Sequence, residues 1–252
     1  WSSDVCSSDL DLIDAVQLGA LAGHPGLGPA EYFLQQQVGR RGVYSFCMCP
    51  GGFVLPSPTQ LGRLNVNGMS NSNRGSGWAN AALVAQVPAA EFPDHPDWPG
   101  PLAGIGLQER LETACFQAGG GGYVAPAQRL VDFVRGTDSR DLPARSSYRP
   151  GLVAGRIDRL LPAAIVTALQ AGARQADRQQ LRGYLSREAL MVGVETTTSS
   201  PVRIPRGADR QSVSHPGLYP CAEGAGYAGG IVSSAIEGYE AAHAVMQAFS
   251  AA

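Results

Sequence analysis

The sequence lacks most of the features that would assign a chain to a membrane, to nucleic acid or to a metal. No apolar run approaches the roughly 18 residues of a transmembrane helix, so no membrane partner is expected. Neither sign of charge dominates. A formal net charge of -2 and a pI near 6.1 leave no electrostatic case for nucleic acid or an anionic surface. The five cysteines follow no regular framework, which argues against a disulfide scaffold and for a reducing, cytoplasmic setting. Cys47-x-Cys49 is one residue short of the C-x-x-C redox spacing, and two buried thiols on alternate strand positions explain it more simply. His24, His95, His215 and His243 share no ligand spacing, so no metal is expected. No Walker loop, Ser-His-Asp set or spaced carboxylate pair occurs, and the catalytic residues are therefore unknown at this level.

What is present is apolar material and many chain breaks. Hydrophobic residues make up 44% of 252 positions, with 32 glycines and 18 prolines, a composition suited to a loop-rich α/β or α+β protein of one or two domains. Residues 1–10, WSSDVCSSDL, repeat Ser-Ser-Asp and carry no signal-peptide order. They look like translated sequencing adapter, a non-native leader ahead of a truncated reading frame, and are set aside from functional reasoning. Apolar runs on both sides of Pro50-Gly51-Gly52 suggest a hairpin, with further strands at residues 61–66 and 82–87 and a turn at Asn67-Gly68. Helical spacing runs through residues 102–118 and, more briefly, 127–134. It returns after Pro162, where Ile165, Leu169, Ala173 and Ala176 share one stripe. Residues 189–198 and 201–204 read as strands. A last helix from about Gly230 to Ala248 has an apolar face of Val232, Ile236, Tyr239, Ala242, Met246 and Phe249.

The strongest local signal precedes that helix. Gly224-x-Gly226-x-x-Gly229 satisfies G-x-G-x-x-G, follows the apolar run Leu218 to Cys221 and opens onto helical periodicity. A helix N-terminus offers free N–H groups and a positive dipole end, and glycines let a ligand approach the backbone. Glu223 could accept hydrogen bonds from a sugar or ribityl hydroxyl. A strand-to-helix connection that only packs is the alternative, which glycines clustered beside one carboxylate disfavour, and an opening Rossmann unit would need a second strand and an acidic residue further on. The segment therefore reads as the end of a nucleotide-facing fold. Two other stretches are weaker: the hydroxyl-rich run from Gly193 to Arg203, and the polar loop with Asn65, Asn67, Asn71, Asn73 and Arg74.

Taken together, GRRGVYSFCMCPGGFVLPSPTQLGRLNVNGMSNSNR, WANAALV, PLAGI, GGGGYVAPAQRLVDF, MVGVETTTSSPVRIPR and GLYPCAEGAGYAGGIVSSAIEG resemble, in order, the C-terminal portion of the bacterial FAD-dependent dehydrogenases, or NAD(P)/FAD-dependent oxidoreductases. The resemblance implies an α/β layout in which residues 11–190 form an inserted, mixed α+β substrate-type domain. Residues 191–252 then return to supply the last strand and helix of a Rossmann-like FAD/NAD(P)-binding domain. It implies FAD as cofactor, NAD(P)H as a candidate reductant, and a small-molecule substrate or electron acceptor. It places Glu223, Gly224, Gly226, Gly229, Gly230 and Ile231 at the ribityl chain and the flavin pyrimidine edge. Two positions depart from the pattern: Ala222 stands where Gly is usual, and Thr197 where Arg is usual, which removes a possible substrate contact.

Overall fold

The computed structural model describes residues 2–250, with side chains from Asp9 onward. The chain forms two compact units. One holds the chain up to Pro88 together with Gln108–Thr196; the other holds Ala89–Leu107 and the chain from Thr197 on.

In chain order, β1 (Ser2–Asp9) leads into α1 (Leu10–Leu18), and the Asp9 carboxylate caps that helix by accepting from the Asp11 N–H at 3.0 Å. Then come β2 (Gln35–Val38), β3 (Arg41–Pro50), β4 (Gly52–Pro56), β5 (Val66–Ser70) and β6 (Trp78–Ala85). They are followed by α2 (Ala103–Ala118), β7 (Ala125–Arg129), α3 (Leu130–Arg135), β8 (Leu152–Ala154) and α4 (Ile157–Leu160). The last three are α5 (Ala163–Gln179), β9 (Leu190–Glu195) and α6 (Ile231–Ser250).

The first unit is a mixed α/β structure around a seven-stranded sheet in the order β2-β3-β6-β1-β9-β7-β8, antiparallel except between β7 and β8. Residues 2–9, set aside on sequence as a leader, form β1 and pair with β6 from Ser2↔Ala85 to Asp9↔Trp78. One face of the sheet carries α5, whose stripe of Ile165, Leu169, Ala173 and Ala176 is buried as its spacing predicts. Val43 of β3 fills the gap left by Gly172 on that helix. The other face carries the two-stranded ribbon β4–β5, with Gly68 seated over Asn80 of β6. β3 needs a bulge between Phe46 and Cys49 to keep its register with β6, and Cys47 within it sits at φ 47°.

Four expectations are corrected. β3 and β4 are not a hairpin: each pairs in a different sheet. Gly51 turns at φ 63°, and a Cβ there would lie 1.8 Å from the Arg74 carbonyl oxygen, so the turn is wedged into a corner between sheets. Residues 61–66 are not a strand; the strand begins at Val66 and contains Asn67-Gly68, the assumed turn. Gly68 belongs in a strand because a Cβ would come within 1.9 Å of Asn80 Oδ1. Residues 125–129 are strand before α3 begins, buried at all five positions. Residues 201–204 form no strand: Ile204 instead donates its N–H to the Ala225 carbonyl and accepts from the Tyr227 hydroxyl.

The Val43–Gly172 contact decides a substitution whose sign helix propensity gets wrong. Gly to Ala inside a helix ordinarily gains about 0.5–1 kcal/mol. At Gly172 the new Cβ would lie 2.6 Å from Cγ1 of Val43, a stiff β-branched and buried side chain. Gly172→Ala is expected to lose about 1–3 kcal/mol through overpacking. Gly238→Ala on α6, where nothing lies within 4 Å, is expected to gain the propensity term. Urea unfolding midpoints, at unchanged slope, check both.

Candidate functional site

The second unit is built around α6 and the turn before it. Among the described residues this unit contains no strand, only an isolated bridge between Arg206 and Ser212. The run Leu218 to Cys221, expected as a strand, has irregular backbone. Arg206 organises the unit. Its Nη1 donates to the Pro220 carbonyl at 2.8 Å and to Glu237 Oε2 of α6 at 2.7 Å. Its guanidinium lies 3.7 Å from the centre of the Tyr227 ring, and Arg203 lies 4.4 Å from that ring as well. Arg210 adds ion pairs to Glu237 and Glu240. The glycine turn and the helix are thus tied through one charged cluster, which also holds the Glu237 carboxyl below its ordinary value.

Of the motif's three glycines, only Gly226 is required by the fold. It sits at φ 81°, and a Cβ there would meet the Val202 carbonyl oxygen at 2.5 Å. Gly224 and Gly229 have nothing within 4 Å of the same point, so their bare backbone faces open space. Gly230 donates its N–H to Ser233 Oγ at 3.1 Å and starts the helical ladder through Ser234. The N–H groups of the first turn, from Ile231 on, have no intrahelical partner. The Glu223 carboxylate is half-buried, accepts no hydrogen bond among the described residues, and has its pKa pushed up by burial. Ala222 adopts φ 58°, a left-handed conformation that disfavours any Cβ. The donors, one carboxylate and the open glycine surface fit a sugar-phosphate or flavin-type group approaching the backbone.

The remaining sequence candidates separate. Thr196 ends the first unit and belongs to a buried network. Its N–H donates to Asn65 Oδ1 at 2.9 Å, its hydroxyl donates to Glu112 Oε1 at 2.5 Å, and its carbonyl accepts from Gln108 Nε2 at 2.6 Å. Burial raises the pKa of Glu112 against the lowering effect of that hydroxyl. Asn65 and Thr196 are therefore structural, and the run from Gly193 to Arg203 is split between the units. Asn71, Asn73 and Arg74 are exposed, with Arg74 paired to Glu31 at 2.7 Å. Cys47 and Cys49, expected as two buried thiols, are exposed and half-buried because the β3 bulge turns Cys47 outward, and burial still raises the Cys49 thiol above its ordinary pKa, which disfavours a thiolate. The sequence reading missed Arg206, Tyr227 and Glu237; an arginine well upstream of the Gly224-x-Gly226 motif carries no pattern that would single it out.

α6 shows the opposite of a soluble helix. Its charged side faces Arg206 and Arg210, while Ile231, Val232, Ile236, Tyr239, Met246 and Phe249 are exposed, Ile231 at 91% and Phe249 at 80%. Only Ala241 is buried. No helix among the described residues is long and apolar enough to cross a membrane.

Residues 8–198 match the family described as FAD-dependent protein, C-terminal domain-like. An uncharacterized protein of Clostridium beijerinckii is 40% identical over 242 residues, covering 95% of this chain and 44% of that protein. The chain belongs to this FAD-dependent family, and it spans less than half the length of its Clostridium relative.

Two carboxyls with opposite shifts give opposite pH dependences. Glu223 is raised, so its contribution to folding is present below the unfolded value, about 4.3, and lost as pH rises through the folded one. Glu223→Gln is expected to be more stable than the parent at neutral pH, with the gap closing on acidification. Glu237 is lowered, so its contribution is present above the unfolded value and lost as pH falls through the folded one. Arg206→Met is expected to cost about 1–3 kcal/mol at neutral pH and less in acid. Ala222→Gly is expected to gain about 1 kcal/mol by relieving the left-handed Cβ. Thermal melting across the pH range reads all three.

Proposed function

We propose that the chain is the C-terminal portion of an FAD-dependent oxidoreductase of the dehydrogenase type, acting in the cytoplasm on a small-molecule substrate or electron acceptor. The carrying observation is the open glycine turn at Gly224 and Gly229, ahead of a helix N-terminus and beside Glu223, in a chain of an FAD-dependent family. Bound FAD would supply hydride or electron transfer. The chain's own part is to hold the flavin end. The backbone N–H groups of Gly229, Ile231 and Val232 would meet its oxygens, Glu223 would accept from a hydroxyl, and the helix dipole would favour negative charge there by about 0.3–1 kcal/mol. The fold that receives this turn is proposed to be Rossmann-like; the return to it, expected over residues 191–252, is drawn from residue 197 because β9 lies in the seven-stranded sheet of the first unit. The exposed stripe of α6 supports that reading: such a stripe on a helix anchored by its charged side needs an apolar cover. We assign that cover to the FAD-binding part of a protein of the relative's length.

A protein of that length is expected to purify with a flavin absorbance band or to gain one on adding FAD. A colourless protein that gains none would sink the proposal. Bleaching of the band by NAD(P)H distinguishes an enzyme from a passive flavin binder. Gly229→Val isolates the turn, because a Cβ there has nothing within 4 Å among the described residues. It is expected to weaken FAD by about tenfold or more with melting unchanged. The 252-residue chain alone is expected to bind FAD more weakly than micromolar.

A further inference from the structure

The first unit contains a cavity of about 610 Å³, within the size range of small-molecule sites, that none of the residues discussed above as flavin contacts enters. Its walls carry two cationic side chains, Arg145 and Arg149, three aromatic residues, Phe53, Trp78 and the buried Tyr148, and no carboxylate. The sequence contains no lysine, so every cationic side chain that could meet an anion at neutral pH, histidine aside, is a planar guanidinium. Arg149 lies over the Phe53 ring, its guanidinium carbon 5.3 Å from the ring centre, a cation–π contact that consumes none of its N–H donors. Among the described residues neither arginine forms a hydrogen bond or an ion pair.

The loop that presents both arginines is held in place. Ser147 Oγ accepts from the Val54 N–H of β4 at 3.2 Å, and the buried Tyr148 donates its hydroxyl to the Tyr123 carbonyl at 2.6 Å. Ser146 Oγ accepts from the Tyr148 N–H at 3.0 Å. A site on a fixed loop loses little entropy on binding. Arg145 also borders a second cavity of about 450 Å³ that includes Asp9, Asp11 and Glu188, so its charge is shared with carboxylates on that side. Arg149 borders only the first of these two cavities, whose lining holds no carboxylate, and is the main anchor.

We propose that this cavity binds a small organic anion, a carboxylate or phosphate attached to a flat ring, with Arg149 gripping the anionic head and Phe53 and Trp78 packing the ring. The site lies within the first unit and does not depend on the flavin reading.

Calorimetric titration of the 252-residue chain at low salt, with benzoate, phenyl phosphate and inorganic phosphate as probes, tests it. At least one ring-bearing anion is expected to bind about tenfold or more tightly than inorganic phosphate, and the tighter of the two assigns the head group. Arg149→Ala is expected to lose about tenfold or more, with Arg149→Lys recovering part of it because an ammonium keeps the charge but not the fork. Arg145→Ala is expected to lose less than Arg149→Ala. Both positions are exposed, so unchanged melting separates binding from folding. No heat with any probe up to about 10 mM, equal affinity for inorganic phosphate, or an Arg149→Ala variant that binds as the parent does would each overturn the proposal.

Discussion

The second unit depends on one guanidinium. Arg206 joins three parts of the chain that no regular secondary structure connects: the loop at Pro220, the ring of Tyr227 inside the glycine turn, and Glu237 two turns into α6. Arginine suits this task because its planar fork can donate along its edges while its face stacks on an aromatic ring. With no strand among the described residues of this unit, the position of the turn at the head of α6 rests on these polar contacts. They orient the helix so that its charged side is satisfied inward and its apolar side is left outward. The direction of the apolar stripe is thus a consequence of where Arg206 and Arg210 sit.

The first unit is closed off by different physics. β9 is buried at every position, and the polar groups of the buried Thr196 that follows it would be costly to leave unpaired there. Asn65, just before β5, and Gln108 and Glu112, both on α2, meet them at Thr196, the residue at which the compact unit ends. Beyond it the chain is no longer held by the sheet. A buried network that accounts for every polar group of one residue fixes where a domain stops more sharply than apolar packing does, because hydrogen bonds are directional and packing is not.

How much of this was legible in the sequence depended on whether the signal was periodic. The α5 stripe was read residue by residue, since a 3.6-residue spacing reports a buried face directly. The same rule found the apolar face of α6 and could not say that it is exposed, because periodicity marks a face and not its partner. Turn chemistry misled twice. Pro50-Gly51-Gly52 specifies a sharp change of direction and is silent on whether the next strand pairs with the last or leaves its sheet. Asn67-Gly68 looks like a turn, yet Gly68 is there for lack of room above Asn80. The long-range partners of Thr196 and Arg206 had no signature, since residues 131 apart in the chain meet only once the fold exists.

The glycine motif illustrates the difference between a pattern and its causes. All three glycines satisfy the same expression, but Gly226 is fixed by its left-handed backbone and by the Val202 carbonyl, whereas a Cβ at Gly224 or Gly229 meets nothing within 4 Å among the described residues. A fold that tolerates side chains at two positions and still carries glycine there leaves backbone uncovered. Uncovered N–H groups at a helix N-terminus are stabilised only by water or by an anionic or oxygen-rich ligand. Ala222, one residue before Glu223, shows the converse case: a side chain occupies a left-handed position where the fold itself would favour glycine. The fold requirement and the ligand requirement fall on different residues of one short turn. That separation is what allows the ligand requirement to be tested without disturbing the fold.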